Sequence, residues 1–395
     1  MVNPGRWPAL ETEQREWSPS AVFSGRSATF DRLRPYFAAI PLEIADREVT
    51  VGSNALAVAA EATAELSRFD GELGRDLAPI AALMLRSEAA ASSQIEQLTA
   101  SAKAILMAEA GDSSRANASI IAANTGALQA ALSLADRLDE ESIIEMQRAL
   151  LATSNARIVG SFRTEQVWIG GRSASPHAAT FVPPHHDRVS ASMLDLVRFL
   201  RRTDVPPFVQ AMLGHAQFET IHPFPDGNGR TGRALIHAVL RHTRVTRLVT
   251  VPVSAGLLGD TAAYFEALMA YREGDIDRIV VQAADAAFVA VRNGRILAEE
   301  VRQTEAEWLR RLTGTRSDSV VWQIVHDLAR RPVIDASAVV ERFGVSAPTA
   351  NDAITRLFDL QVIVRANGGQ RFRKWIAIEI AEALDRFAER STRRH

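Results

Sequence analysis

The sequence predicts a mainly α-helical protein with a short β-hairpin near its middle and a separate C-terminal module. Long segments rich in Ala, Leu and Glu favour helices, and breaks containing Gly or Pro separate them. The alternating run at 166–171 ends in Gly-Gly, which is typical of a hairpin. From residue 318 the pattern changes to three short helices and a second hairpin. A chain of 395 residues accommodates two or three domains, and we place them at 1–112, 113–312 and 313–395.

The individual helices follow from apolar spacing and from residues that favour helix ends. Ser53 or Asn54 is a suitable N-cap for the first helix, and acidic residues open the helix that starts at Asp139. The segment 254–260 contains two glycines, and we interpret it as a linker. The helices predicted before the C-terminal module span 53–70, 76–108, 115–134, 139–151, 188–202, 206–220, 230–240 and 277–312.

The composition excludes several classes of protein and site. Charged residues make up 23% and hydrophobic residues 47%, which is ordinary for a globular chain with its own core. The absence of Cys excludes disulfides and thiolate metal sites. No apolar run reaches the ~20 residues that cross a bilayer and no signal peptide is visible, so we expect a cytoplasmic protein without membrane contact. The net charge of −2 argues against attraction of the whole chain to nucleic acid.

The most informative segment is the loop 221–233, Ile-His-Pro-Phe-Pro-Asp-Gly-Asn-Gly-Arg-Thr-Gly-Arg. Gly227 and Gly229 can adopt positive φ and let backbone N–H groups approach an anion closely. The loop leads into a predicted helix, whose N-terminus favours phosphate. Arg230 and Arg233 lie three apart on one helix face and offer guanidinium forks for phosphate oxygens. The loop therefore has the groups needed to hold a nucleotide.

Further side chains of this loop supply the remaining chemistry. Asp226 is a hard oxygen ligand of the kind that holds Mg²⁺ together with nucleotide phosphates. His222 can accept a proton near neutral pH, and Asn228 can donate to a phosphate oxygen. Each residue alone has a structural interpretation, but a plain turn has no use for all of them together. Phe224 is expected to anchor the loop in the core.

These residues match every fixed position of the pattern HPFx[D/E]GN[G/K]RxxR, so the chain resembles the Fic family. The resemblance implies a helical Fic fold and transfer of AMP from ATP to a hydroxyl side chain (Tyr, Ser or Thr) of a protein. It implies that His222 is the general base and that Asp226 holds Mg²⁺ or Mn²⁺. The implied phosphate contacts are Gly227, Asn228, Gly229, Arg230 and Arg233.

A second segment, 83–97, resembles the inhibitory helix of the same family, whose motif is [S/T]xxxE[G/N]. Ser92 and Glu96 match this motif, and Gln97 stands where Gly or Asn is expected. The resemblance implies that Glu96 pairs with Arg233 in the same chain and blocks the γ-phosphate site. It also implies that Glu96 could orient water for removal of AMP, the reverse reaction. The alternative is a solvent-exposed glutamate on an amphipathic helix.

Other elements resemble the family more weakly. The segment 160–163 matches G-x-[FY]-R, and the hairpin at 166–171 would be the flap that holds a target peptide by strand addition, or else an ordinary hairpin. Tyr264 could stack on adenine or pack in the core. His185 and His186 are interpreted as surface residues rather than metal ligands. The flap residues are Val167, Trp168, Ile169 and Gly170.

The C-terminal module resembles a winged helix, with helices at 318–329, 335–343 and 348–360 followed by a hairpin. One interpretation is DNA binding through 318–375, since the hairpin is basic. The third helix has few groups that read bases, and Asp352 would oppose a phosphate. A protein-interaction or homodimer-forming module is therefore the alternative. The basic hairpin residues are Arg365, Arg371, Arg373 and Lys374.

Three functions are consistent with the sequence alone. The first is AMP transfer to a protein, with ATP as donor. The second is a DNA-binding regulator in which a Fic domain senses nucleotide. The third is the same loop acting on another donor, such as UTP or a phosphocholine carrier.

Overall fold

The structure is a computed structural model that describes residues 7–17, 34–73, 78–152, 159–171, 175–367 and 373–393. Within these ranges the chain is mainly helical, as predicted, and none of the helices there has both the length and the apolar character needed to cross a bilayer. The described helices are α1 (Ser53–Leu73), α2 (Ala78–Ile95), α3 (Ala102–Glu109), α4 (Ala116–Ser133), α5 (Glu140–Leu151), α6 (Val189–Leu200), α7 (Pro207–Ile221), α8 (Asn228–His242), α9 (Val253–Gly259), α10 (Thr261–Arg272), α11 (Asp277–Arg311), α12 (Val320–Leu328), α13 (Ala336–Phe343), α14 (Ala347–Asp359) and α15 (Ile378–Thr392). The described strands are β1 (Glu11–Arg15), β2 (Tyr36–Ile40), β3 (Val333–Ile334), β4 (Val364–Arg365) and β5 (Trp375–Ile376).

Packing divides the chain into two compact units, each assembled from segments that are distant in sequence. The domain boundaries placed at residues 112 and 312 stay a prediction. The first unit comprises Met1–Ala64, Ala127–Val245 and Thr261–Ala284. The second unit comprises Glu65–Gly126, Thr246–Asp260 and Asp285–His395.

Helix α7 is the centre of the first unit, because every side chain from Phe208 to Ile221 is buried. Helices α6, α8 and α10 pack around it. Its buried amides are paired: Gln210 donates to the Phe199 carbonyl at 3.0 Å, and Gln217 donates to the Leu42 carbonyl at 2.8 Å. A helix held on all sides therefore leads directly into the loop 221–233.

A two-stranded ribbon precedes these helices and was not predicted from the sequence. Strands β1 and β2 pair antiparallel, and the N–H of Ala39 in β2 also donates to the carbonyl of Val182 at 3.0 Å. Neither strand alternates, since β1 is entirely polar and β2 is almost entirely apolar. The period of two that normally identifies a strand is therefore missing.

In the second unit, the segment 254–260 is not a linker, so that prediction was wrong. Residues Val253–Gly259 form helix α9, which packs against α2 and α15. A Cβ atom at Gly256 would lie 2.0 Å from the Ala286 carbonyl oxygen, so glycine here permits close packing rather than flexibility. The buried carboxylate of Glu88 on α2 accepts the N–H of Ser254 at 2.8 Å. The two glycines misled the sequence interpretation because glycine serves both purposes.

The helix predicted at 76–108 is divided into α2 and α3, and the division falls at Glu96. Helix α2 ends at Ile95, and Gln97 adopts the left-handed conformation with φ 63°. The N–H of Gln97 donates to the Gln94 carbonyl at 2.8 Å, and the N–H of Leu98 donates to the Ser93 carbonyl at 3.1 Å. This is the Schellman arrangement, in which glycine or asparagine normally occupies the left-handed position. The Gly or Asn of the inhibitory motif is therefore explained by backbone conformation.

Replacing Gln97 with glycine should stabilise the protein by about 0.5–1 kcal/mol, because glycine adopts positive φ without a Cβ clash. The free energy of unfolding in urea would measure this. Gln94→Gly is the matched control, since Gln94 lies in the right-handed last turn of α2. It should destabilise the protein by about 1 kcal/mol. A loss of stability in both variants would contradict the assignment of strain to Gln97.

The C-terminal module contains the three predicted helices, α12 to α14, and a three-stranded antiparallel sheet in the order β3-β5-β4.

Arg371 lies outside the described residues. Lys374 is not available as the prediction required, since its ammonium group donates to the Ala110 carbonyl. On α14 the exposed residues include Asp352 and Phe358, and Phe358 is 47% exposed. Helix α15, which was not predicted, packs against α2, α3 and α9. DNA binding stays a prediction.

Candidate active site

The loop 221–233 connects the C-terminus of α7 to the N-terminus of α8. His222 is the first residue after α7 and has left-handed backbone angles, φ 50° and ψ 60°. Its N–H donates to the Phe218 carbonyl at 2.8 Å, which turns the chain out of the helix. Non-glycine residues are strained in this region. The His222 side chain is 20% exposed, so solvent reaches part of the imidazole.

The imidazole of His222 is neutral at physiological pH. Burial and the guanidinium groups of Arg163 and Arg272 lower the pKa of His222 to about 3. The Glu219 carboxylate lies 3.8 Å from Nδ1, too far for a hydrogen bond. The ring therefore keeps an unprotonated nitrogen, which is what a general base requires.

A tight turn follows, and its side chains are partly used to hold it. The Asp226 carboxylate is 54% exposed and accepts the N–H of Gly227 at 2.7 Å. Asn228 is buried, and its amide is bonded twice to the backbone of Phe224, accepting its N–H and donating to its carbonyl, both at 2.8 Å. In this structure Asn228 therefore braces the loop instead of presenting its amide to a phosphate. Phe224 is fully buried, which confirms the predicted anchor.

Of Gly227 and Gly229, the two glycines considered from the sequence for anion binding, only Gly227 adopts a conformation reserved for glycine. Gly227 has φ 80° and caps α8, whereas Gly229 lies in the first turn of that helix. Gly229 therefore does not use the positive φ that its lack of a Cβ allows. A Cβ at Gly227 would lie 2.9 Å from a Leu150 methyl group, because α5 packs directly beneath the turn. Glycine is required at 227 by both conformation and space.

The two arginines of the pattern lie in the first two turns of α8 and are both buried. The Arg230 guanidinium is 3.9 Å from the Asp226 carboxylate. Arg233 lies close enough to His215 for its charge to help burial lower the pKa of that histidine to about 3. Buried guanidinium groups at a helix N-terminus, together with the backbone N–H groups there, form a positive environment for an anion.

This arrangement belongs to a known family. Residues 137–240 match the model of the Fic/DOC family. They are a Fic domain. The matched stretch contains the whole loop 221–233 and α5 beneath it, which confirms the resemblance recognised in the sequence.

Relatives of the Fic domain are found among curated proteins and solved structures. The chain is 27% identical over 144 residues to the protein adenylyltransferase fic-1 of Caenorhabditis elegans, covering 36% of this chain and 25% of that protein. It is 30% identical over 148 residues to the protein adenylyltransferase Fic of Drosophila ananassae, covering 37% and 27%. The chain thus spans about a quarter of the length of these relatives. A Fic family protein from Desulfovibrio desulfuricans shares the fold, with a TM-score of 0.54 at 21% identity over 83% of this chain and 97% of that one.

The flap of the Fic domain is less regular than predicted. Residues 166–171 form no named strand; instead one antiparallel bridge joins Ile169 to Phe181. Trp168 packs edge-on against Trp17 with ring centroids 5.5 Å apart. Gly170 has φ 74° and turns the backbone out of the strand conformation immediately after the bridge. The prediction of a regular hairpin over 166–171 was therefore wrong in extent.

Three other residues singled out in the sequence are placed as follows. Tyr264 is 1% exposed and its hydroxyl lies 2.8 Å from His215 Nε2, which favours the core interpretation over adenine stacking. His185 and His186 are half-buried, and their rings lie 4.1 Å apart. Within the described residues no group of three or more possible ligand side chains could hold a metal ion.

The residues of the inhibitory motif belong to the second unit. Ser92 is 3% exposed on α2, whereas Glu96 lies in the turn just beyond the end of that helix. The shared helix face expected for the two residues is therefore interrupted at Glu96. The pairing of Glu96 with Arg233 stays a prediction.

Two buried arginines near His222 were not recognised as functional from the sequence. Arg163 is 4% exposed and its Nε donates to the His222 carbonyl at 2.8 Å. Arg272 is 9% exposed and donates to the Glu219 carbonyl at 3.2 Å. Burial lowers the pKa of each to about 10, so both are charged at neutral pH. Arg163 stands in the G-x-[FY]-R segment, which was the available sequence signal.

Substituting Gly232 with alanine should destabilise the Fic domain by about 1–3 kcal/mol. A Cβ there would lie 2.6 Å from Glu219 Oε1 and 2.9 Å from the Phe218 ring, because α8 crosses α7 closely at this point. Thermal unfolding followed by circular dichroism would measure the loss. Gly126→Ala is the control, since Gly126 lies inside α4 with no atom within 4 Å of the added Cβ. It should stabilise the protein slightly. Equal stability changes in the two variants would show that helix crossing does not depend on Gly232.

Proposed function

We propose that this chain transfers AMP from ATP to a hydroxyl side chain of a protein. The observation that carries the proposal is a neutral, partly exposed imidazole at His222, placed directly before a turn that caps a helix with two buried arginines. The relatives named protein adenylyltransferases support the same reaction.

In the proposed reaction, His222 takes the proton of the target hydroxyl. The hydroxyl oxygen then forms a bond to the α-phosphorus of ATP, and the bond between that phosphorus and the oxygen bridging to the β-phosphate breaks. Pyrophosphate leaves, and His222 returns its proton to solvent. The backbone N–H groups at the start of α8 and the guanidinium groups of Arg230 and Arg233 would stabilise the negative charge on the phosphates.

A divalent cation fits this site as part of the bound nucleotide. Asp226 is the acidic residue of the turn, and its exposed carboxylate is free to take a ligand on its second oxygen. One carboxylate completed by substrate phosphates is the usual protein contribution to a Mg²⁺ site. When bound, Mg²⁺ or Mn²⁺ would neutralise charge on the α- and β-phosphates.

We further propose that Glu96 restrains the reaction in the same chain. The support is the match of Ser92 and Glu96 to the family's inhibitory motif, and the left-handed conformation of Gln97 where that motif has Gly or Asn. A carboxylate near Arg233 would compete with the γ-phosphate for that guanidinium. The same carboxylate could direct water in removal of AMP.

Labelling with α-³²P-ATP tests the proposed function. Wild-type protein incubated with a cell lysate and Mg²⁺ should label protein bands, and a chelator should abolish the label. With γ-³²P-ATP no band should depend on the added protein, because the β- and γ-phosphates leave as pyrophosphate. Label from γ-³²P-ATP would instead indicate a kinase-like orientation of the nucleotide. Competition by unlabelled UTP stronger than by ATP would indicate another donor.

A further inference from the structure

Arg163 is buried, yet its guanidinium meets no carboxylate within the described residues. The guanidinium donates to main-chain carbonyls instead. Nε donates to the His222 carbonyl at 2.8 Å, and one terminal nitrogen donates to the Pro184 carbonyl at 2.5 Å. The other terminal nitrogen donates to Glu165 at 3.0 Å. Its own N–H donates to the Pro223 carbonyl at 2.9 Å. One side chain therefore joins the beginning of the flap, the segment 180–184 that faces it, and the catalytic loop.

Arg272, on α10, makes a second connection between the same regions. Its guanidinium lies over the Phe181 ring, 3.6 Å from the centroid. It also donates to the Glu219 carbonyl at 3.2 Å and to Thr220 Oγ1 at 3.4 Å, in the last turn of α7. Phe181 is the residue that bridges to Ile169 of the flap. Arg272 thus links the flap bridge to the turn of helix that ends at His222.

Desolvating two guanidinium groups is costly. Arg163 is compensated by carbonyl oxygens alone, whereas Arg272 also interacts with the negative charge of Glu219. Hydrogen bonds to carbonyls fix backbone position, and the planar fork of arginine does this in two directions at once. From this geometry we infer that Arg163 and Arg272 are positioning residues that set the separation between the flap and His222. This inference rests on the proposed function, because it assigns the two arginines to the presentation of a target hydroxyl to the base.

The charges that face His222 come from three elements. Arg163 lies just before the flap, Arg272 lies on α10, and the Glu219 carboxylate lies on α7 at 3.8 Å. The two cations disfavour the imidazolium form in addition to burial. The two arginines that fix the flap therefore also keep His222 unprotonated. Their effect can be measured separately on the flap and on the pKa of His222.

Four variants and a control test the inference in the full chain. The methionine variants, Arg163→Met and Arg272→Met, remove both the planar guanidinium and its positive charge. The lysine variants, Arg163→Lys and Arg272→Lys, keep the positive charge but lose the planar set of N–H donors. Arg202→Met is the matched control. Its guanidinium also donates to main-chain carbonyls, those of Ala45 and Arg47, but it touches neither the flap nor His222.

The first readout is hydrogen exchange of the two bridge amides, Ile169 and Phe181, which donate to each other's carbonyls at 2.8 and 3.1 Å. We expect exchange about tenfold faster in all four variants, and no change in Arg202→Met. The second readout is titration of the His222 ring nitrogens by ¹⁵N NMR. Its pKa should rise by about one unit or more in the methionine variants and stay low in the lysine variants.

Unchanged exchange of the bridge amides in the folded variants would overturn the inference. If a methionine variant fails to fold, hydrogen exchange of the bridge amides is measured on the corresponding lysine variant instead. Neither readout requires nucleotide. If both change as expected while wild-type protein transfers no AMP, the proposed function fails and the positioning of His222 by the arginines stands. If AMP is transferred, the variants should lower kcat about tenfold and leave the KM for ATP unchanged.

Discussion

Replacing His222 with alanine is expected to lower the rate of AMP transfer about 10²–10⁴-fold. In the proposed reaction the imidazole takes the proton of the incoming hydroxyl, and it is already in the base form because burial and two cations lower its pKa to about 3. The proposed phosphate contacts Arg230 and Arg233 lie on α8 and are separate from this side chain. Nucleotide affinity should therefore change little, and steady-state kcat and the dissociation constant for ATP, measured separately, would show the split.

His242→Ala is the control for this experiment. His242 lies at the other end of α8, where its Nδ1 is 3.0 Å from the Ala135 carbonyl. Its removal should alter transfer by less than about twofold, since surface changes away from a site have small effects. A His222→Ala variant that transfers AMP at the wild-type rate would exclude His222 as the base.

The pH profile provides an independent check of the same assignment. Protonation removes the base, so the rate falls as pH is lowered through the pKa of His222. Because that pKa is about 3, no fall that depends on His222 should occur between pH 8 and pH 5. An acid limb near pH 6.5 that disappears when His222 is replaced would show that the imidazole titrates with an ordinary pKa.

Glu96→Gly should increase both ATP affinity and the rate of AMP transfer by about 10–100-fold. A hydrogen bond between charged groups contributes about 1.5–3 kcal/mol. Under the proposed restraint, removing the carboxylate that would compete with the γ-phosphate would make nucleotide binding more favourable by that amount. Isothermal titration with ATP and labelling with α-³²P-ATP would measure the two effects.

Gln97→Gly is the matched control for Glu96→Gly, because it places glycine in the same turn and leaves the carboxylate intact. It relieves the left-handed strain at φ 63° without removing any charge. We expect no gain in activity from it, and an intermediate gain from Glu96→Gln, which keeps the shape of the side chain. Equal activation by Gln97→Gly would indicate that the helix end, not the carboxylate, restrains the enzyme.

The candidate site was largely predictable because its residues are adjacent in the chain. Glycine, proline and asparagine have few backbone options, and their spacing around His222 determines a cap and a turn at the start of α8. Helix α8 was predictable from apolar periodicity for the same local reason, whereas α7 is buried on all sides and has no such periodicity. The left-handed Gln97 was not, since glutamine carries no sign of positive φ and the Ala-rich run continues past it.

The predictions failed where the outcome depended on distant residues. Gly256 was interpreted as flexible, but it allows α9 to pack against Ala286. One of the two interpretations of the C-terminal module used Lys374 as a DNA contact, but its ammonium group donates to the Ala110 carbonyl, and DNA binding itself stays a prediction. In each case the residue type permitted two roles, and the neighbour that decided between them is remote in sequence.

By itself the sequence determined the helical class, the helix boundaries that glycine and proline enforce, and the nine fixed residues of the Fic pattern. The tertiary structure decided the protonation state of His222, because only folding brings the charges of Arg163 and Arg272 beside a desolvated imidazole. It also decided which polar side chains form hydrogen bonds with the backbone, as the Asn228 amide does with Phe224. Local conformation is determined by a few neighbouring residues, whereas desolvation and charge depend on everything that packs around a group.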